Sequence, residues 1–495
     1  MPTQLLKTAY AVYPSVNLNG YKKDPKTKKL KFGFIKELLF GDYIKPYIKD
    51  NAYETILINN KEYIKVRARN ADGYIKVEQM QAERILEVNF IDVGQGDGCH
   101  LVTPDDKHFI IDAGATDNMY RFLKWRFNLK NAKSSPPPFT VVVSHSDKDH
   151  YAGFGKIFSK SNDTNQQFSI DKIYHNGLVE LSGKKADSLG TLITENGKDF
   201  ITDLCDTDKE FNKRAKSVEK PGLFISTMNK SSAKKTSLRY GAEPIYKKNN
   251  MKIEVLAPLV TKVGAKDTLP VFDNNKGKTK NGHSVVLKLT IGNLRILLGG
   301  DLNTESENYL LSHFSETDII AIKDELKIKT ISASKRKALE TKLEEAIIKA
   351  RETFEVDIAK SCHHGSADFT SEFLKALNPL ATIISSGDDE PHTHPRPDTL
   401  GTIGKHSRGD RSLIFSTELA RSGKEFINVA KGNTESKKER VVVVYGMINV
   451  RTDGDKVIIA QKLERKAASK NWDIHKLEWN NKTNEFEYNQ FKKYE

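Results

Sequence analysis

The stretch Thr140–Gly153, TVVVSHSDKDHYAG, decides how the rest of the chain is read. The run TVVV has the texture of a buried strand and stops at Ser144. Four groups able to bind a metal follow: His145, Asp147, Asp149 and His150. Residues two apart on an extended segment face the same way, so His145 and Asp147 can hold one ion. Asp149 and His150 fall where a helix begins and can turn toward a second ion. Solubility does not account for such a density of imidazole and carboxylate directly behind an apolar strand, so the loop reads as a metal centre.

Upstream lie a hydrophobic strand, LEVNFIDV (86–93), a glycine turn, GQGDG (94–98), a strand pair ending in FIIDAGA (109–115), a helix candidate, NMYRFLKWRF (118–127), and a Pro-rich linker, SSPPPF (134–139). Downstream, the strands MKIEVLAP, SVVLKLTI and LRILLGGD are followed by one long amphipathic helical stretch over 321–354, then IAKSCHHGS, a helix TSEFLKALNP, the strand ATIISSG and the loop DDEPHTHPRPDT. Strand and helix alternate as in a layered domain. The late strands ERVVVVYGMINVRTDGDKVIIAQKLE are expected to complete a second sheet. Residues 205–252 are basic and poorly periodic, the pattern of a surface insertion.

The N-terminal region differs. After the lysine-rich lead-in YKKDPKTKKLK, residues 33–80 read as short strands separated by GD, NN and NADG turns, the pattern of a small β-barrel similar to a bacterial SH3-type module. Its tyrosines, Tyr43, Tyr47, Tyr53, Tyr63 and Tyr74, read more readily as core or edge residues than as a recognition surface. The expected division is a small β-rich domain over 1–83 and a larger domain over 84–495.

Lys and Arg outnumber Asp and Glu by 79 to 65 in the 495 residues, a net charge of +14 that favours a polyanionic partner or a solvated lysine-rich surface. The three cysteines, Cys99, Cys205 and Cys362, have no paired spacing, which excludes a disulfide framework and a thiolate zinc cluster. No apolar stretch approaches a membrane span, and no basic head precedes one, so a soluble, cytoplasmic protein is expected.

The metal loop resembles the His-x-His-x-Asp-His signature of the metallo-β-lactamase superfamily, with Asp147 in place of the second histidine. The ComEC-type DNA-uptake branch carries that aspartate. Three more of its features occur here in order: FIDVGQGDG, LLGGD ending at Asp301, and CHHGS with His363 and His364. The resemblance covers roughly residues 85–400 and lacks the branch's membrane channel. It implies an αββα sandwich, an α+β fold, and two divalent ions, zinc or manganese.

By position, the resemblance makes Asp112 the buried aspartate that orients the ligand loop, with Asp97 and Asn281 as further supports. Asp301 becomes the carboxylate bridging both ions. His363 becomes the last histidine ligand, with His364 as second choice. His283, in NGHSVVL, reads equally as a first-site ligand or a turn histidine, and His175 is a weaker candidate. His394, in HTHPRP, matches a loop that the family lays across the pocket, where it would contact phosphate or protonate the leaving oxygen, with His392 and Arg396 as neighbours. Asp149, His364 and His394 are the candidates for the chemical step.

The resemblance and the charge together point to phosphodiester hydrolysis with DNA or RNA as substrate and Lys230, Lys234, Lys235 and Arg239 as a path for it. A small-molecule or phosphocholine-type phosphodiesterase is the second reading. A third is a sensing or defence protein whose SH3-like module recruits a protein or peptide partner.

Overall fold

The computed structural model describes residues 5–23, 28–129, 135–159, 168–181, 186–217, 222–387, 392–409, 411–417, 425–431, 434–440, 447–467 and 470–488. The chain divides into two compact units, one of residues 1–89, 101–107 and 420–495, the other of residues 90–100 and 108–419.

In the first unit, short strands with one apolar face assemble into a sheet in the order Met80–Gln81, Ala9–Ala11, Tyr43–Pro46, Lys61–Ala68, Ala71–Ile75, Ser15–Lys23, Leu30–Leu39. Side chains alternate across a strand, so Leu18, Ile44, Ile64, Val66 and Ile75 gather on one side as a core. The SH3-like barrel expected here does not close, because the order has two ends and the terminal strand Met80–Gln81 is only two residues long. The C-terminal strands Met447–Thr452, Lys456–Ala467, Lys470–Asn480 and Glu485–Tyr488 form an antiparallel meander. The late strands, expected to complete a second sheet, do join one: Met447–Thr452 neighbours Leu86–Ile91 in a ten-strand order. Arg451, 2% exposed, reaches Asp42 Oδ1 at 3.1 Å and Glu87 Oε1 at 3.4 Å, and Glu37 accepts the amides of Asn471 and Trp472.

Among the described residues the second unit contains two large groups of strands and a small four-stranded sheet of Leu192–Glu195, Lys198–Ile201, Lys266–Pro270 and Thr261–Val263. His108–Ala113, Phe139–Val142, Ile170–His175 and Lys234–Ser237 run parallel, with Ile110 opposite Val141 and Val141 opposite Ile173. Buried parallel strands need apolar side chains on both faces, which explains the continuous runs HFIIDA and FTVV. The helix Asn118–Arg126 covers one side of them, its Phe122 ring 5.6 Å from that of His100. The other sheet begins antiparallel, Met251–Ala257, Val286–Ile291 and Leu294–Leu298, and continues parallel through Ile358–Lys360, Ala381–Ile384 and Leu413–Ser416. Its outer face packs under Leu310 and Leu311, Ile347 and Phe354, and Phe373, from three helices. The facing sides of the two sheets meet around a small cavity lined by Phe90, Ile111, Val285 and Leu298. Helices outside and two sheets inside give the αββα layering.

Two expectations change in detail. The helical stretch 321–354 is two helices, Ile319–Lys327 and Ala333–Phe354, because the Ser332 hydroxyl accepts the Lys335 amide at 3.2 Å and starts a new helix. The region 205–252 is built into the unit: Lys234–Ser237 extends the parallel strands, and Phe211, Phe224 and Met228 are buried. No described helix is long and apolar enough to cross a membrane.

Candidate metal centre

The carboxyl ends of the parallel strands of both sheets converge, the usual place for a site in layered α/β folds. Asp112, at the end of its strand, has φ 55°, and its carboxylate accepts the Ser144 amide at 2.7 Å and the Ser144 hydroxyl at 2.6 Å. That grip fixes where the strand Phe139–Val142 turns into the ligand loop. A short helix, Lys148–Tyr151, follows with Asp147 at its N-cap, so Asp149 and His150 lie in its first turn. Gly96, at φ 106°, presses against this turn, and a Cβ there would sit 1.8 Å from the Asp149 carbonyl oxygen. From the second sheet, Gly300 and Asp301 follow the strand Leu294–Leu298, and the Asp301 amide donates to Ser284 Oγ at 3.0 Å.

Three imidazoles meet here with one nitrogen engaged and the other facing inward. His150 Nδ1 lies 2.8 Å from Asp112 Oδ2. His145 Nδ1 lies 3.1 and 3.2 Å from the Ser144 and Ser284 hydroxyls. His364 Nδ1 lies 3.1 Å from the Ser385 carbonyl and 3.2 Å from Asp97 Oδ1. The Nε2 atoms of all three, and Asp301 Oδ1, are buried without a hydrogen-bond partner. Asp301 Oδ2 lies 3.1 Å from both His150 Nε2 and His364 Nε2. The ligand atoms of His145, His150 and Asp301, and those of Asp149, His150 and His364, lie within 4.8 Å of one another. Buried polar atoms normally find partners, so a cluster of orphaned nitrogens around a carboxylate fits divalent cations.

Electrostatics argue the same way. Burial disfavours a charged His364, but the Asp301 and Asp97 carboxylates outweigh it and push its pKa up to about 10. His150 is raised well above the usual imidazole range against the same burial, by Asp301 and Asp112. Burial would raise the Asp301 pKa, yet His150 and His364 hold it well below the usual carboxylate range. The pocket therefore demands positive charge where the imidazoles converge. Lys360, 3% exposed, supplies some: it pairs with Asp97 and donates to the Gly300 carbonyl at 3.0 Å.

Asp147 Oδ2 lies 3.5 Å from His145 Nε2, and its other oxygen pairs with Lys280. The Asn281 amide, oriented to donate, reaches Asp147 Oδ2 at 2.7 Å. Asp149 Oδ2 accepts from Gln95 at 3.2 Å.

Several sequence expectations are corrected. His364, the second choice, lies among the grouped ligand atoms, while His363 stands beside them with Nε2 4.0 Å from Asp301 Oδ2 and Nδ1 buried without a hydrogen-bond partner. His283 is a packing residue, stacked on Phe272 with Nε2 2.7 Å from the Pro270 carbonyl, and burial lowers its pKa to about 4. His175 packs on Phe211 outside the cluster, its Nδ1 accepting the Gly177 amide. Lys235 and Arg239 are not free surface cations. Lys235 is 4% exposed with Nζ on the Ser231 carbonyl, and Arg239 pairs with Asp206 and Asp267. Lys230 Nζ is 3.5 Å from the Gly155 carbonyl, and Lys234 is exposed. The His394 ring lies 5.9 Å from His363 and 6.2 Å from His364.

Sequence reasoning missed Lys360, Lys280 and Ser144. Lys360 had a signal, a lysine closing the buried strand Ile358–Lys360 just before CHHGS.

No family model matches the chain. It is 23% identical over 336 residues to ComE operon protein 3 of Bacillus subtilis, a match covering 65% of this chain and 31% of that protein, so the chain spans about a third of its relative's length. Among solved structures it is similar to Tm1679, a metal-dependent hydrolase of the β-lactamase superfamily, at 12% identity and TM-score 0.30, covering 67% of this chain and 95% of the other. A protein of Parabacteroides distasonis assigned as a metal-dependent hydrolase is similar at 12% identity and TM-score 0.25, covering 73% and 97%. The resemblance carried by the four motifs is thus to a relative of the ComEC type.

Proposed function

We propose that this chain is a metal-dependent hydrolase of the β-lactamase superfamily that cleaves phosphodiester bonds, with nucleic acid as its preferred substrate. The observation that carries the reading is the convergence of His145, His150 and His364 Nε2 on Asp301, all buried. His145, Asp147 and Asp301 would hold one divalent ion, and Asp149, His150, His364 and Asp301 a second. When bound, such ions make water nucleophilic near neutral pH and offset charge building on a phosphoryl group. The carboxylate-rich set is hard enough for manganese as well as zinc.

The chain's own residues do the rest. Asp112 and Ser144 fix the orientation of His150, and Lys280 and Asn281 hold the Asp147 carboxylate in place. Lys360 neutralises Asp97, so that Asp97 can orient His364 without adding net negative charge. His394, beside the His363 and His364 rings, is within reach of a leaving oxygen bound over the cluster and can give it a proton.

The net charge of +14 supports a polyanionic substrate. The burial of Lys235 and the pairing of Arg239 favour the second reading, a small diester, because they remove half of the expected phosphate path. Metal-reconstituted protein incubated with single- and double-stranded DNA, RNA and a chromogenic diester separates the two. Polymer cleavage that disappears in Asp301→Asn is the expected result. Hydrolysis of the chromogenic diester alone selects the small-molecule reading, and hydrolysis of neither rejects phosphodiester chemistry.

A further inference from the structure

The sheet of the first unit has two faces of opposite character. One is the core already described; on the other, strand register aligns aromatic and basic side chains. Tyr21 stands opposite Phe32 and Tyr74 opposite Lys65, while Tyr63 lies two residues before Lys65 on the same strand. The rings touch edge to face: Tyr21 on Phe32 at 5.3 Å and Phe32 on Tyr63 at 5.6 Å, with Tyr74 tilted toward Phe32 at 6.1 Å. Across the sheet, Lys45 stands opposite Arg67, with Tyr43 two residues away. Tyr21 and Tyr43 are each 52% exposed. A cluster that served only as core would not leave Tyr21 this open, and its other rings, Phe32, Tyr63 and Tyr74, are half-buried.

We infer that this outer face binds single-stranded nucleic acid, bases stacking on Tyr21, Phe32 and Tyr74 while Lys45 and Lys65 meet phosphates. Flat aromatic surfaces stack on bases only where these are unpaired, which selects single strands over duplex. Charge selects a polyanion: residues 1–83 hold fifteen Lys and Arg against nine Asp and Glu. Two cations on the face have acidic partners, Lys65 with Glu54 and Arg67 with Asp72, each at 3.1 Å. Exposed pairs of that kind are weak, so a phosphate can take either cation.

The inference deepens the nucleic-acid reading of the proposed function and rests on it for substrate class. Its test is a fluorescence-anisotropy titration of the full chain with a labelled phosphorothioate oligothymidylate, which resists cleavage, and with the matching duplex. The single strand is expected to bind more tightly. Tyr21→Ala should weaken it about tenfold, the effect of losing one stacked base, and Tyr21→Trp should restore it. The double change Lys45→Gln with Lys65→Gln should weaken binding and flatten its dependence on salt. Far-UV circular dichroism checks that each variant is folded. No binding by the wild type, equal binding of duplex, or an unchanged affinity in Tyr21→Ala overturns the inference. Capture of an acidic peptide with no affinity for oligothymidylate reassigns the face to a protein partner. Binding without any cleavage would sink the nuclease reading and leave this face standing. Cleavage of DNA or RNA without oligothymidylate binding would sink this face and leave the nuclease reading standing.

Discussion

Two clusters of buried charge, one in each unit, differ in a way that separates structure from chemistry. In the first unit Arg451 and Arg69 face Asp42 and Glu87, with Arg69 Nε 2.5 Å from Asp42 Oδ2 and Arg451 Nη1 3.1 Å from Asp42 Oδ1. Two cations answer two anions, and the burial of Asp42 is outweighed by Arg69 and Arg451, so its carboxyl stays below the usual range. In the second unit Asp97, Asp112, Asp149 and Asp301 surround the imidazoles, and the positive charge beside them comes from Lys360 and from protons that the carboxylates hold on His150 and His364. A balanced cluster braces a fold. One balanced in part by protons on its imidazoles can exchange those protons for divalent cations.

The sharpest way to break this contrast is Asp301→Asn. The amide removes the shared negative charge with almost no change of shape, and hydrolysis should fall by about 10³-fold, several kcal/mol of transition-state stabilisation. Metal content, read by elemental analysis, should fall with it while the far-UV circular dichroism is unchanged. Wild-type turnover would reduce Asp301 to a turn residue.

The balanced cluster should fail differently. Arg451→Met leaves Asp42 and Glu87 buried with one cation between them and should cost about 3–5 kcal/mol in denaturant unfolding, with no change in metals bound per folded chain. Chelation is the converse experiment. Stripping metal should lower stability by about 2.7 kcal/mol relative to protein in metal at a hundredfold excess over its Kd. The loss should be the same in Arg451→Met. Asp112→Asn, which frees His150 Nδ1 without removing a proposed ligand, should weaken metal affinity about 10–100-fold.

The smallest effect concerns Glu307, a buried acid whose carboxylate accepts from Thr370. Burial, partly offset by those Thr370 bonds, raises its pKa from 4.5 to about 8. Its folded-state pKa lies above the unfolded value, so its contribution to stability is full below about 4.5 and is lost as pH rises through about 8. Glu307→Gln should therefore flatten the fall in melting temperature between those limits. An unchanged slope would show that the acid is ionised when folded.

The metal loop was legible because its signal is local. Four candidate ligands packed behind one apolar strand admit few readings, and Asp301 was marked by its place at the end of LRILLGGD. The failures all depend on contacts distant in sequence. His363 and His364 are neighbours, both left-handed, and only the fold around Asp301 shows which imidazole lies nearer it. His283 sits at the right spacing for a ligand, but Phe272 and the Pro270 carbonyl hold it elsewhere. Arg239 looked free until Asp206 and Asp267 folded against it. The late strands read as sheet strands from their own apolar runs, whereas the tie between Arg451 and Asp42, 409 positions earlier, has no signal in the sequence.

The crowding at Gly96 bears on how such a chain can drift. Gly96 offers no group to chemistry, yet any side chain there collides with the backbone that carries Asp149, at a φ that L-residues resist. In a saturation library it should be as intolerant as Asp301, and no distant substitution should rescue it, because the clash is with main chain. Gly197, at φ 74° with open space around it, should accept asparagine readily. Lineages can therefore exchange surface lysines freely while this hydrogen-sized gap is inherited unchanged.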